Sequence, residues 1–208
     1  MAPPGKASPS SWIELSEPTA ITLTKDMDVE DKELANFLAA EQGKFRYDYV
    51  RLGCSFHPDH PERFEKAWLY VDLDVAGLAS GVPFPIAWSI YPVETHDEVE
   101  ESLSTKIGSR LSIFSAEVGS SKKVASKLYS LRGYKEGKSD PHWEMRATDT
   151  SSLDGLLRFH IVVRSLASTE VRARVRLETT LSDRLFAVFR SQRPFDESPS
   201  LQFKLPSA

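Results

Sequence analysis

The chain contains few of the features that point to a specific chemistry. Its 208 residues include one cysteine, Cys54, so no disulfide can form within the chain, which favours a reducing compartment. The formal net charge of -4 is too small to indicate nucleic acid as a partner. No apolar run approaches the ~18 residues of a membrane helix, and the N-terminus lacks the charged and apolar regions of a signal peptide. We therefore predict a cytoplasmic protein without a transmembrane segment.

Alternation of apolar and charged residues is the dominant pattern of the sequence. In residues 171–178, Val-Arg-Ala-Arg-Val-Arg-Leu-Glu, every second side chain is apolar, which is the period of a β-strand with one buried face. Similar segments recur along the chain at close spacing, without helical units between them. This pattern predicts a mainly antiparallel β-sandwich of about ten strands, with a β-barrel as the alternative.

The ends of the chain differ in composition from its middle. Residues 1–11 are rich in proline and serine and are predicted to form a disordered tail. Residues 12–192 are predicted to form a single sandwich domain, followed at 193–208 by a C-terminal tail or a loosely docked strand. One short helix is predicted near residues 28–42, because Asp28 can cap its first turn and Gly43 can end it. A turn at Ser182-Asp183 is predicted to separate two late strands.

A short loop holds the best metal candidates. Cys54, His57 and His60 lie within seven residues, and Asp59 stands between the two histidines. Thiolate, imidazole and carboxylate groups are all zinc ligands. The prolines at 58 and 61 favour an extended loop, however, and no second ligand pair stands at a familiar spacing. The sequence therefore predicts an ordinary loop without a cofactor, with a zinc site as the alternative.

Two groups of basic residues suggest an anionic partner. Arg172, Arg174 and Arg176 form a row on one face of a strand, and adjacent like charges repel one another unless an anion or an acidic neighbour compensates them. Arg158 is predicted to lie on a neighbouring strand. A second group belongs to the basic segment 106–138 and consists of Lys122, Lys123 and Lys127. These seven side chains are candidates for binding an anionic ligand, and the alternative is a solvated sheet face whose charges nearby acids neutralise.

No catalytic signature accompanies these patterns. A Gly-x-Ser-x-Gly nucleophile motif is missing, and Asp72 and Asp74 form a carboxylate pair without other catalytic partners. We therefore predict a non-catalytic intracellular module that binds another protein, for instance in a bacterial defence or secretion assembly.

Three alternatives remain open at this point. The first is a sandwich that binds carbohydrate or another small ligand, and the second is a metal-dependent hydrolase built around Cys54, His57, His60 and Asp72. The third is a membrane-active pore-forming protein. In that case residues 97–131 would supply an inserting hairpin, although their many lysines oppose burial against lipid.

Overall fold

The chain folds into two antiparallel β-sheets that pack face to face, as seen in a computed structural model. The structure describes residues 11–27, 32–77, 82–95, 129–148, 152–186, 189–196 and 198–206. The elements are β1 (Trp12–Leu15), β2 (Thr19–Leu23), α1 (Lys32–Ala40), β3 (Phe45–His57), β4 (Glu62–Val75), β5 (Ile86–Tyr91), β6 (Glu94–Thr95), β7 (Tyr129–Tyr134), β8 (His142–Ala147), β9 (Gly155–Leu166), β10 (Val171–Phe186), β11 (Phe189–Pro194) and β12 (Ser200–Lys204). The predicted antiparallel sandwich with one short helix is confirmed.

The strand order defines a five-stranded sheet and a seven-stranded sheet. In the five-stranded sheet the order is β1-β3-β9-β5, and β2 pairs with β3 beside β1. In the seven-stranded sheet the order is β11-β10-β4-β8-β7-β6, and β12 pairs with β10 beside β11. The long central strands are therefore β3 and β9 in one sheet and β4 and β10 in the other.

The core lies between the two sheets and follows directly from the two-residue alternation. On β3 the even-numbered residues Val50 to Phe56 face inward, and on β10 the odd-numbered residues Val171 to Leu177 do the same. Trp143 is fully buried among them, and its Nε1 donates a hydrogen bond of 2.8 Å to the carbonyl oxygen of Pro92. A buried indole whose N–H is satisfied in this way is a core residue rather than a ligand platform.

Helix α1 covers one end of the outer face of the five-stranded sheet. It spans Lys32–Ala40, within the predicted range 28–42, and the predicted cap Asp28 lies outside the described residues. Leu34 and Leu38 are buried against the sheet in a second apolar cluster that includes Tyr47 and Tyr49. This cluster explains why two tyrosines on the outer face of β3 are buried.

The predicted turn at Ser182-Asp183 is wrong. Strand β10 continues through both residues and pairs there with β4 and with β11. Ser182 is fully buried, and its Oγ donates a hydrogen bond of 2.6 Å to Glu65. A buried hydroxyl with an acceptor fits inside a strand, so the polar dipeptide does not interrupt the sheet.

The ends of the chain are partly integrated into the sandwich. Ser11 is buried, although it was predicted to belong to the N-terminal tail, and its Oγ accepts a hydrogen bond of 2.8 Å from the backbone amide of Asp59. Near the other end, β12 pairs with β10 from Arg172 to Arg176. Part of the segment 193–208 is therefore a strand of the seven-stranded sheet.

Candidate functional site

The predicted arginine row lies on the outer face of the seven-stranded sheet. Arg172, Arg174 and Arg176 alternate with buried residues of β10, as the sequence predicts. On one side β4 places Asp74 beside Arg172 and Asp72 beside Arg174, and on the other side β12 places Lys204 and Gln202 beside the same two arginines. Arg172 and Arg174 line a shallow cavity of about 700 Å³.

Carboxylates compensate most of this row. Arg172 lies 3.2 Å from Glu170, and Arg176 lies 3.7 Å from Asp72 and 3.5 Å from Glu178. Arg174 is exposed and makes no ion pair with the residues that the structure describes. The acidic neighbours explain how three arginines can stand side by side, and they weaken the case for an anionic ligand at this face.

The other predicted basic residues do not join the row. Arg158 lies on β9 in the five-stranded sheet, whereas the neighbours of β10 are β4, β11 and β12. The expectation that Arg158 stands on a strand beside β10 is therefore wrong. Lys122, Lys123 and Lys127 lie outside the described residues.

The predicted metal-binding residues do not form a metal site in the described part of the chain, where no group of three or more possible ligands comes together. Cys54 points into the core and is completely buried, which raises the pKa of its thiol and disfavours the thiolate that a metal requires. His57 stacks on Trp12 with ring centroids 3.6 Å apart. Alternation sends Cys54 and His57 to opposite faces of β3, which accounts for their separation.

A row of aromatic rings crosses the outer face of the seven-stranded sheet. Tyr134 stacks on His142 at 5.0 Å, His142 lies 5.6 Å from Tyr70, and the Arg176 guanidinium lies 5.2 Å from the Tyr70 ring centroid. These residues are direct partners on β7, β8, β4 and β10. Because each ring contacts its neighbour on the adjacent strand, we interpret these aromatic contacts as cross-strand pairs that stabilise the sheet.

A second polar site lies on the outer face of the five-stranded sheet, where Ser16 closely approaches Gly53 of β3. Its cavity of about 210 Å³ is lined by Ser16, Glu17, Arg51, Leu52, Gly53, Leu156 and Arg158. A Cβ on Gly53 would stand 2.9 Å from the Ser16 Oγ, and the Ser16 amide donates a hydrogen bond of 2.9 Å to the Gly53 carbonyl oxygen. We call this cavity the Gly53 pocket. An isolated glycine in a strand pattern signals such a close approach and is the clue that sequence reasoning missed.

His160 lies next to the Gly53 pocket and stays neutral. It is paired with Arg51 across the sheet and shares a hydrogen bond with the Tyr49 hydroxyl. Burial, followed by the charges of Arg51 and Arg158, lowers the pKa of His160 to about 4. The positive charge around the pocket near neutral pH therefore comes from the two arginines and not from the imidazole.

The edge of the seven-stranded sheet carries a third feature. Strands β6 and β7 are antiparallel partners, with Glu94 opposite Arg132 and Thr95 opposite Leu131. The side chains of Glu94 and Arg132 form an exposed ion pair of 2.5 Å. Thr95 and Tyr129, the described residues that border segment 96–128, therefore belong to neighbouring strands. No helix in the described ranges is long and apolar enough to cross a membrane.

No family model and no curated protein matches the chain, whereas the similar solved structures include two Clostridium perfringens toxins. One is the NetB toxin of Clostridium perfringens in the membrane inserted form, with 7% identity and a TM-score of 0.40 over 94% of this chain and 95% of that chain. The other is Clostridium perfringens delta-toxin, with 6% identity and a TM-score of 0.30 over 92% and 89% of the two chains.

These matches correct two predictions made from the sequence. Both solved structures are toxins and one is in a membrane-inserted form, so the predicted intracellular protein-binding module and its cytoplasmic localisation are wrong. At these identities and TM-scores the matches do not assign this chain to a family.

Proposed function

We propose that the chain is a membrane-active protein that inserts a β-hairpin into a lipid bilayer, and that residues 96–128 supply this hairpin. The observation that carries the proposal is the antiparallel pairing of β6 with β7, which brings Thr95 and Leu131 opposite each other. A hairpin needs its two ends on neighbouring antiparallel strands. The flanking strands meet this requirement at a sheet edge.

The sequence between these strands has the alternation that an inserting strand needs. From 99 to 113 five of the eight odd-numbered positions are apolar, namely Val99, Leu103, Ile107, Leu111 and Ile113, and the other three hold glutamate, threonine and serine. The even-numbered positions hold glutamate, serine, lysine, glycine and arginine. A strand that crosses a bilayer as part of a barrel has ~10 residues that alternate between the lipid face and the aqueous lumen. The segment 99–113 is long enough to cross.

Two of the three lysines in residues 122–128, which counted against insertion, fit an alternation of the same kind. After Gly119-Ser-Ser, Val124 and Leu128 occupy even-numbered positions, and Lys123 and Lys127 occupy odd-numbered ones. Residues of opposite parity point to opposite faces of a strand. In an inserted hairpin the two lysines would therefore face the aqueous lumen. Lys122 adjoins the turn, where a basic side chain can reach the lipid head groups.

Release of a dye from vesicles tests this proposal in two separate variants. Their substitutions lie at neighbouring positions, one odd-numbered and one even-numbered, and therefore on opposite faces of the proposed strand. Leu111→Arg places a charge on the proposed lipid face, where it costs about 2–4 kcal/mol near the bilayer midplane, so dye release should fall at least tenfold. Ser112→Arg adds the same charge on the proposed aqueous face and should leave release within about twofold of the wild type, because that face stays in water. Equal effects of the two substitutions, or no release by the wild-type chain, would overturn the proposal.

A further inference from the structure

The outer face of the five-stranded sheet combines a charged cavity with exposed apolar side chains. Trp12 is 44% exposed and Leu156 is 49% exposed. Trp12 is paired with His57, and Leu156 with Ser55, two residues along β3 from Gly53. Because residues of one parity share a face, Trp12, Leu156 and the Gly53 pocket all open on the same side of the sheet.

The charges of the Gly53 pocket are of both signs. Arg158 is exposed and makes no ion pair within the part of the chain that the structure describes. Arg51 lies on β3 two residues before Gly53, which is the partner of Arg158. Arg51 and Glu17 line the same cavity. Guanidinium groups bind phosphate oxygens through directed hydrogen bonds, and a carboxylate attracts an ammonium group. The pocket thus offers partners for a small group that carries one charge of each sign.

The apolar residues suggest where such a group comes from. Tryptophan is enriched at membrane–water interfaces, where its ring lies at the level of the lipid head groups. A leucine exposed beside it can enter the acyl boundary while arginine side chains remain with the head groups. The exposed side chains of Trp12 and Leu156 would contribute nothing to the binding of a free phosphate compound.

We propose that this face docks the chain on a membrane and that the Gly53 pocket holds the head group of a zwitterionic phospholipid. The phosphate lies against Arg51 and Arg158, the ammonium group lies against Glu17, and Trp12 and Leu156 enter the interface. This inference rests on the proposed membrane-active function, and it names the lipid class that the chain binds before insertion.

Co-flotation of the full chain with phosphatidylcholine vesicles tests the charged part of the site. Arg158→Gln should weaken binding about fivefold, the equivalent of about 1 kcal/mol, because it removes charge-assisted hydrogen bonds to the phosphate. Arg174→Gln is the matched control, because it removes the same charge from an exposed strand position on the other sheet, and it should bind like the wild type. Equal weakening by both substitutions would overturn the proposed site in favour of a net-charge effect.

Glu17→Gln separates a zwitterionic head group from general attraction to phosphate. If the carboxylate holds the ammonium group, the substitution should weaken binding to phosphatidylcholine severalfold. If the cavity only attracts negative charge, removal of Glu17 should strengthen binding, and that outcome would overturn the assignment. Vesicles of digalactosyldiacylglycerol, which lack phosphate, should bind poorly, and soluble glycerophosphocholine should compete with phosphatidylcholine vesicles. Equal binding to vesicles of phosphatidylcholine and of digalactosyldiacylglycerol would also overturn the assignment.

Trp12→Ser tests the apolar part of the face. Phe84→Ser is its control, because Phe84 is similarly exposed, at 55%, but lies away from Leu156. Phe84 precedes β5, and the first residue of β5 pairs with Arg164 on β9, eight residues from Leu156. Only Trp12→Ser should lower vesicle binding. Dye release separates this inference from the proposed function. Wild-type binding without release would contradict insertion alone, whereas release that none of the docking substitutions changes would contradict the docking face alone.

Discussion

Arg164 holds Glu41 with two hydrogen bonds, from its Nε to Oε2 at 2.8 Å and from its Nη2 to Oε1 at 2.7 Å. Glu41 directly follows helix α1, and Arg164 lies on β9. The Tyr47 hydroxyl donates a further hydrogen bond of 2.6 Å to Glu41, and the Arg164 guanidinium lies 3.5 Å from the Phe45 ring centroid. This arrangement fastens the C-terminal end of α1 to the outer face of the sheet.

We expect Arg164→Gln to lower the free energy of unfolding by about 1–2 kcal/mol, since both charge-assisted hydrogen bonds to Glu41 are lost. Urea denaturation followed by tryptophan fluorescence would measure the change. Arg146→Gln is the control. Its ion pair with Glu144 has a similar length of 2.6 Å, but the Arg146 side chain is 55% exposed. The free energy of unfolding should therefore change by no more than about 0.5 kcal/mol. Equal losses would mean that the contact with Glu41 does not fasten the helix.

A buried ion pair near the same end of the sheet should behave differently. Arg46 and Asp48 are both buried and meet at 2.7 Å, and burial raises the pKa of Asp48 although Thr22 and Arg46 hydrogen-bond to its carboxylate. Asp48→Asn should lower the free energy of unfolding by about 3 kcal/mol, because it leaves the Arg46 charge buried without a countercharge. The double variant Arg46→Met, Asp48→Leu should recover most of this loss when measured by the same denaturation. A double variant as unstable as the single one would show that the pair itself stabilises the fold.

The third prediction concerns pH. The folded-state pKa of His160 is lowered from 6.5 to about 4, so the unfolded chain binds a proton between these values while the folded chain does not. Stability should therefore fall as the pH drops from 6.5 towards 4, by about 3 kcal/mol over this window. His160→Gln, which keeps a hydrogen-bonding group near Tyr49, should flatten the dependence in thermal melts at several pH values. An unchanged slope would assign the proton uptake to other groups.

Local pattern predicts much of this fold, and strand order explains what it does not predict. The alternation on β10 correctly places Val171, Ala173, Val175 and Leu177 in the core. The same pattern cannot specify the neighbouring strand, which is why Arg158 was expected beside β10 and is found in the other sheet. The partners of a strand depend on residues distant in sequence.

The candidate site was harder to predict than the fold for the same reason. Arg51, Glu17 and Arg158 come from three separate segments that meet only because β1, β3 and β9 are neighbours. The wrong prediction of a turn at Ser182 has a related cause, because the hydroxyl finds its acceptor on Glu65, far away in the sequence. A polar residue marks a turn only when no distant strand can satisfy it.

Strand β10 has one consequence for the behaviour of the chain at high concentration. The flank of β10 that faces away from β4 is covered by two short strands, β12 opposite residues 172–176 and β11 opposite residues 180–186. A foreign strand approaching this border meets two brief, separate rows of amide and carbonyl groups instead of one continuous template. Interrupted borders of this kind resist intermolecular strand addition, so this side of the molecule is protected against the stacking that leads to fibrils.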